Sequence, residues 1–157
     1  TPMRSSAASD VYKRQPPGEF GGGYIEKLFT NSLDPNDHPY FSEIYDLKVS
    51  SHLLIERDGS LVQFVPFNKK AWHAGVSSFK GRENCNEFSI GIELEGTDEN
   101  AYTDDQYRAL IDITKELMLV FQDIKKENIV GHSDIAPGRK TDPGKAFNWH
   151  YYLSNLV

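Results

Sequence analysis

The segment from Thr103 to Phe121 constrains the fold most, because it carries the clearest helical pattern in the chain. Thr103 is a suitable helix N-cap, and Gln106, three residues later, completes a capping box. One face of the helix that follows carries Tyr107, Leu110, Ile111, Thr114, Leu117, Met118 and Phe121. Such a stripe must be buried against another apolar surface, so the pattern predicts a long helix packed on a sheet.

Three strand patterns supply that sheet. Val49 to Glu56 and Ser60 to Val65 flank Asp58-Gly59, a pair that favours a tight hairpin because it tolerates positive φ. Phe88 to Glu95 alternates with a period of two residues. One of its faces carries Ile90, Ile92 and Leu94, and the other carries Ser89, Gly91, Glu93 and Glu95.

Shorter elements complete the predicted architecture. Tyr24 to Thr30 has the pattern of a short helix, Asn128 to Gly131 that of a short buried strand, and Ala146 to Leu156 that of a terminal helix. Pro66 to Glu87 is expected to be a long polar loop. The predicted fold class is α/β, a single domain in which a mixed central β-sheet is flanked by helices.

Composition narrows the class of partner. A chain of 157 residues suffices for one domain with a core. Its net charge of −6 argues against a general nucleic-acid binder, which needs a basic surface. No apolar run approaches the ~20 residues that cross a bilayer, so we expect no membrane partner. The single cysteine, Cys85, cannot form an internal disulfide, which favours a reducing compartment.

Residues 1–15 (TPMRSSAASDVYKRQ) differ in character from the rest of the chain. They are small, polar and basic, without a hydrophobic period. The character of the sequence changes abruptly at Pro16-Pro17-Gly18. Such a change is expected where a translated linker meets a natural sequence. We therefore expect residues 1–15 to be a non-native or disordered leader outside the fold, and the domain to span residues 16–157.

The segment HSDIAPGRKTDPG, residues 132–144, combines residue types that can bind a metal ion. A catalytic zinc ion typically takes three protein ligands and a water, and His132 and Asp142 could be two of those ligands. Lys140, in the same loop, could stabilise negative charge that develops on an attacked carbonyl. The alternative is that the histidine and the aspartate form a hydrogen-bonded pair with a structural role.

Glu93 is the second candidate for chemistry. A carboxylate inside a strand otherwise rich in isoleucine is costly to bury unless it faces a polar cleft. Glu93 could therefore act as a general base that takes a proton from water. Glu95 lies on the same face, and either residue could instead be a solvent-facing strand charge.

The four other histidines lie in different sequence surroundings, which predict different roles. His73, in Ala-Trp-His-Ala-Gly, suits either the wall of a pocket or a simple loop hydrogen bond. His52 is expected to be a core residue whose hydrogen bonds are satisfied, and His38 to cap a turn before a proline. His150 has no neighbours in sequence that suggest a site.

Four segments in order resemble the zinc-dependent N-acetylmuramoyl-L-alanine amidases: PPGEFGGGYIEKLFTNSLDPNDHPYF, VSSHLLIERDGSLVQFVPFNKKAWHAGVS, CNEFSIGIELEGTD and GHSDIAPGRKTDPG. Within the family, the resemblance is to the cytosolic branch that acts on 1,6-anhydro-N-acetylmuramyl peptides during cell-wall recycling. It implies hydrolysis of the amide between N-acetylmuramic acid and L-alanine, a zinc cofactor, a small muropeptide substrate and a cytoplasmic location. We also expect a monomer.

The resemblance also implies roles for individual residues. His132 and Asp142 match zinc ligands, Lys140 matches a lysine that stabilises the oxyanion, and Glu93, not Glu95, matches the general base. The substrate-binding residues expected are Tyr40, Phe41, Lys48, His73 and Ala136. Lys48 and Asn84 stand where relatives commonly have arginines, and a lysine keeps the charge without the bidentate fork.

The resemblance breaks down before Pro16. Relatives have a buried strand there that ends in a histidine and an asparagine, and that histidine is the first zinc ligand. The matching stretch here is VYKRQ, which has no histidine. We therefore expect the N-terminal strand to be missing and zinc binding and turnover to be impaired, because two ligands hold zinc less tightly than three. The alternative is a non-catalytic domain that binds peptidoglycan fragments.

Overall fold

The computed structural model describes the backbone of residues 4–7, and residues 16 and 18–156. In chain order its strands are β1 (Arg4–Ala7), β2 (Leu53–Ile55), β3 (Leu61–Gln63), β4 (Ser78–Phe79), β5 (Arg82–Glu83) and β6 (Ser89–Leu94). Four of them form one sheet in the order β1-β6-β2-β3, while β4 and β5 form a separate antiparallel hairpin. Strands β1 and β2 both run parallel to β6, and β3 runs antiparallel to β2. The predicted mixed sheet is confirmed.

The helices of the described residues are α1 (Tyr24–Phe29), α2 (Asp104–Val120), α3 (His132–Ile135) and α4 (Trp149–Ser154), with 3₁₀ turns at Pro39–Glu43, Cys85–Glu87 and Lys126–Asn128. Helices α1, α2 and α4 lie close to their predicted positions, whereas α3 was not predicted. The strand predicted for Asn128 to Gly131 is wrong: only Val130 makes a bridge. The loop predicted for Pro66 to Glu87 contains the β4–β5 hairpin, which the sequence pattern did not indicate. Along the stretches that the structure describes, no helix combines the length and apolarity that a bilayer crossing requires.

Helix α2 begins with the predicted capping box. Thr103 Oγ1 accepts a hydrogen bond from Gln106 N at 3.1 Å, and Gln106 Oε1 accepts one from Thr103 N at 3.1 Å. The Gln106 side chain is fully buried, and its Nε2 donates to the main-chain oxygen of Glu95 at 2.7 Å. The cap therefore also attaches the start of α2 to the end of β6.

The two faces of the sheet pack against different elements. The face toward α2 and α4 carries the largest apolar cluster, which includes Leu53, Ile55, Ile90, Ile92, Leu94, Leu110, Leu117 and Tyr152. On the opposite face, Leu54 packs with Ile25 and Leu28 of α1 and with Phe41. Leu54 is the register partner of Glu93, so Glu93 faces away from α2.

The N-terminal segment corrects one expectation. We expected residues 1–15 to lie outside the fold and the N-terminal strand to be missing, but Arg4–Ala7 pairs with Ser89–Ile92 of β6 as a parallel edge strand. The physical reason is that strand pairing uses main-chain N–H and C=O groups, which every non-proline residue carries. A polar segment without an apolar period can therefore pair with an open sheet edge. Residues 8–15 lie outside the described residues.

Candidate active site

His132 and Asp142 lie together, as the sequence predicts. His132 Nδ1 is 3.2 Å from Asp142 Oδ2, and both side chains are almost completely buried. Local hydrogen bonds fold the loop that follows α3: at the end of the helix, Ala136 O accepts from Arg139 N at 3.1 Å and from Lys140 N at 3.0 Å. Ser133 N then donates to Asp142 O at 3.0 Å, which closes the loop beside the histidine.

The imidazole of His132 faces an acceptor at each nitrogen. Its Nε2 is 3.0 Å from the main-chain oxygen of Ala74 and, farther away, 3.5 Å from Arg139 Nη2, while its Nδ1 faces the Asp142 carboxylate. A neutral imidazole has one N–H and can satisfy only one of these acceptors. A ring that donates from Nε2 to Ala74 O leaves the Nδ1 lone pair and the Asp142 carboxylate oxygen facing each other, and a cation bound between them would satisfy both. This donor set fits a metal ion such as zinc, whose protein ligands are neutral imidazole and carboxylate.

The residues that the structure describes bring two possible metal ligands together and not three. Searched over that part of the chain, His, Cys, Asp and Glu side chains form no group of three or more that could hold a metal ion. His132 and Asp142 are thus two suitable ligands, whereas a catalytic zinc ion normally takes three from the protein.

Lys140 lies in the same loop, and its side chain is half-buried. Burial lowers the pKa of its ammonium group, and the charge of Asp142 partly opposes that shift. The lysine is thus held close to the candidate ligands, where a positive charge in a partly dehydrated site can stabilise an oxyanion.

The structure separates Glu93, in β6, from Glu95, which directly follows that strand. The Glu95 carboxylate accepts hydrogen bonds from Gly21 N at 2.7 Å and from Arg57 N at 3.1 Å, so it ties two loops to the end of the strand. Glu93 is 2% exposed and lies on the face opposite α2. Glu95 therefore has a structural role. The role of Glu93 as the general base stays a prediction.

His73 lies against the same face of β6. A Cβ added to Gly91 would be 2.4 Å from His73 Cγ, so the ring covers the bare backbone of this glycine. Its Nε2 is 3.3 Å from Ser89 Oγ. Ser89, Gly91 and Glu93 alternate along one face, so His73 is placed on the side of the strand that carries the candidate base.

The other predicted substrate-binding residues are placed differently from one another. Tyr40 is partly buried and Ala136 is buried at the end of α3, whereas Lys48 is exposed with its Nζ 3.4 Å from Asn31 Oδ1. Phe41 is fully buried within the apolar cluster around α1. Direct contact of Phe41 with a substrate is therefore not available in this structure, because its ring is part of the core. Asn84 adopts φ 58° at a turn, a conformation that asparagine tolerates.

His52 is a core residue with both ring nitrogens bonded, as predicted. Its Nδ1 accepts a hydrogen bond from Gly91 N at 3.0 Å, and its Nε2 donates to Lys69 O at 2.9 Å. These partners require the neutral ring. His38 also behaves as predicted, since its Nδ1 accepts from Tyr40 N and caps the 3₁₀ turn at Pro39–Glu43. His150 is exposed on α4.

The pH dependence of stability should report the neutral state of His52. Burial lowers its pKa from an ordinary 6.5, against the opposing effect of the Lys69 carbonyl. Its contribution to stability is therefore complete above pH 6.5 and is lost as pH falls through the lower folded pKa. His52→Asn keeps an acceptor for Gly91 but cannot titrate. We expect the loss of unfolding free energy from about pH 7 to about pH 5, measured by urea denaturation, to be smaller in the variant by about 1 kcal/mol; equal losses would contradict the assignment.

The sequence patterns did not single out two polar residues around the site. The Asn86 side chain accepts hydrogen bonds from His73 N and Ala74 N, and the Arg139 guanidinium donates to Ala74 O and Val76 O. Arg139 lies inside residues 132–144, but its spacing from His132 and Asp142 indicates no role. Asn86 has no signal in sequence, because its partners are main-chain groups of a distant loop.

Comparison with known proteins places this geometry in context. The family model described as N-acetylmuramoyl-L-alanine amidase matches residues 24–145. The chain is 63% identical over 134 residues to 1,6-anhydro-N-acetylmuramyl-L-alanine amidase AmpD of Escherichia coli (strain K12), which covers 85% of this chain and 73% of that protein.

Two solved structures resemble the fold. A crystal structure of a selenomethionine derivative of AmpD superposes with a TM-score of 0.93 at 53% identity and covers 100% of this chain and 86% of that one. E. coli AmiD, solved with the substrate anhydro-N-acetylmuramic acid-L-Ala-D-γ-Glu-L-Lys, has a TM-score of 0.65 at 34% identity and covers 79% of this chain and 54% of that one.

Proposed function

Because the chain belongs to the N-acetylmuramoyl-L-alanine amidase family, we propose that it hydrolyses the amide between 1,6-anhydro-N-acetylmuramic acid and L-alanine in peptidoglycan fragments. The observation that carries the proposal is the buried His132–Asp142 pair with Lys140 in the same loop. A purely structural pair would not need a partly dehydrated lysine beside it. The likeness to an amidase solved with an anhydromuropeptide supports the substrate class.

In the proposed mechanism, His132 and Asp142 are the residues that would hold zinc, whose Lewis acidity polarises a carbonyl and makes water more acidic. Glu93 accepts the proton of the attacking water and passes it to the departing amine of L-alanine. Lys140 donates to the carbonyl oxygen as negative charge develops on it. A cytoplasmic location suits the free, buried thiol of Cys85.

The second candidate is a domain that binds peptidoglycan fragments without cutting them. It is favoured by one observation: among residues 16 and 18–156, no cluster of three possible metal ligands occurs. The two functions differ in zinc content and in turnover, so both can be measured on the same protein.

Single histidine substitutions at each of residues 11–15 test the proposed function. Since a third imidazole completes a zinc site, we expect at least one variant to bind about one zinc ion per chain and to hydrolyse an anhydromuramyl peptide faster than the parent. His132→Ala in that variant should remove both gains. Zinc content is measured by atomic emission and hydrolysis by release of anhydro-N-acetylmuramic acid. Binding of the muropeptide by calorimetry, with no turnover in any variant, would support the binding domain instead.

A further inference from the structure

The loop that follows Trp72 is held from both sides of its main chain. On one side, the buried Asn86 side chain accepts hydrogen bonds through one oxygen, Oδ1, from His73 N at 3.0 Å and from Ala74 N at 2.8 Å. On the other side, Arg139 Nη2 donates to Ala74 O at 2.7 Å and to Val76 O at 2.8 Å. The peptide groups around Ala74 therefore have little freedom to rotate.

Gly75 allows the guanidinium to come this close. Its φ is +59°, a conformation that side chains with a Cβ rarely adopt. A Cβ at this position would lie 3.2 Å from Arg139 Nη2, tighter than ordinary contact. The glycine thus serves both the turn of the loop and the approach of Arg139.

The Ala74 oxygen that is held in this way is the one that faces His132 Nε2 at 3.0 Å. A carbonyl can only accept, so a neutral ring that bonds to it carries its proton on Nε2 and its lone pair on Nδ1, toward Asp142. Metal-binding histidines are commonly oriented by such a bond from the other ring nitrogen.

We infer that the Ala74 carbonyl selects Nδ1 of His132 as the metal-binding nitrogen, and that Asn86 and Arg139 are positioning residues that hold this carbonyl in place. The inference deepens the proposed function and rests on it. Neither side chain acts on the substrate in this account. Asn86 acts on the ligand through the main chain of residues 73–76. Arg139 acts through the same main chain at 2.7 and 2.8 Å, and its Nη2 also lies 3.5 Å from His132 Nε2.

The sign of the effect of Arg139 on zinc affinity provides the test. If Arg139 acted only through its charge, Arg139→Met would remove a cation near the site and tighten zinc binding. If it positions Ala74, the same variant should bind zinc about 10-fold more weakly, and Arg139→Lys should recover part of the loss because lysine can still donate to a carbonyl. Affinities are measured by competition with a chromophoric chelator, in the parent and in the histidine variant with the highest zinc content.

Arg82→Met is the matched control. Arg82 is an exposed arginine whose guanidinium lies over the Phe88 ring at 4.0 Å, and no hydrogen bond from it to Ala74 or Val76 is found among the described residues. It should leave zinc affinity unchanged. Unchanged or tighter binding by Arg139→Met would overturn the inference, whereas absence of zinc from every protein, including the histidine variants, would overturn the proposed function with it.

Asn86 offers a second measurement that needs no metal. Asn86→Leu removes the acceptor of two buried N–H groups, so hydrogen exchange of the His73 and Ala74 amides in metal-free protein should accelerate at least about 10-fold. Asn86→Asp keeps an acceptor oxygen and should restore most of the protection and most of the zinc affinity. Loss of protection without any loss of zinc affinity would contradict a positioning role.

Discussion

Glu93→Gln should reduce the rate of amide hydrolysis by about 10²- to 10⁴-fold, the usual contribution of a positioned general base. The carboxamide has nearly the same shape but cannot accept the proton of the attacking water. Glu93 lies on the face of β6 that His73 also covers, away from the apolar cluster under α2. The variant should therefore fold normally and retain zinc, with the loss confined to the chemical step. Single-turnover rates on an anhydromuramyl peptide, together with zinc content, measure this.

Glu95→Gln is the matched control, two residues along the same strand face. Its carboxylate accepts from Gly21 N and Arg57 N, so an amide that presents an NH₂ group to one of these donors should lower the free energy of unfolding by about 1–3 kcal/mol. The rate of hydrolysis at a temperature where the protein is folded should change little. A large loss of rate in Glu95→Gln with a normal rate in Glu93→Gln would assign the base to Glu95. If turnover of the parent is below detection, the comparison is made in the most active histidine variant.

Lys140→Met should lower kcat by about 10²- to 10³-fold, the cost typical of removing one donor that stabilises an oxyanion. Methionine fills similar space without the charge, so the half-buried position should remain packed. Because the negative charge develops only in the transition state, kcat should fall much more than KM rises. Burial lowers the pKa of Lys140, so this lysine loses its proton at a lower pH than an exposed lysine would. The rate of the parent should therefore start to fall at a correspondingly lower pH on the alkaline side of its profile.

Lys145→Met provides the comparison for Lys140. The Lys145 side chain is exposed and its Nζ lies 2.7 Å from Glu99 Oε2, at the far end of the same loop. Its removal subtracts the same charge from the protein without entering the buried part of the site, so kcat should be unchanged. Equal losses in the two variants would show that overall charge, not a local donor, controls the rate.

Local chemistry accounts for the parts of the fold that were predicted well. The capping box of Thr103 and Gln106, the Asp58-Gly59 turn and the alternation of β6 each depend on residues a few positions apart, so they are visible without a structure. The Asn128 to Gly131 segment was wrongly predicted as a strand because an apolar run of that length does not reveal whether a neighbouring strand is available. The Arg4–Ala7 strand was missed for the opposite reason: the edge of β6 decides that pairing, and the side chains of the segment carry no signal for it.

The sequence by itself determined the family, the α/β class and the candidates His132, Asp142, Lys140 and Glu93, because those residues occur in recognisable local motifs. Only the tertiary structure showed that Glu95 binds the main chain of two loops, placed Phe41 in the core and revealed the hydrogen bonds of Asn86 and Arg139 to the loop at Ala74. These are contacts between residues 12 to 74 positions apart, often with main-chain groups that are the same in every residue. Such contacts arise from how the loops pack around β6, which no local pattern records.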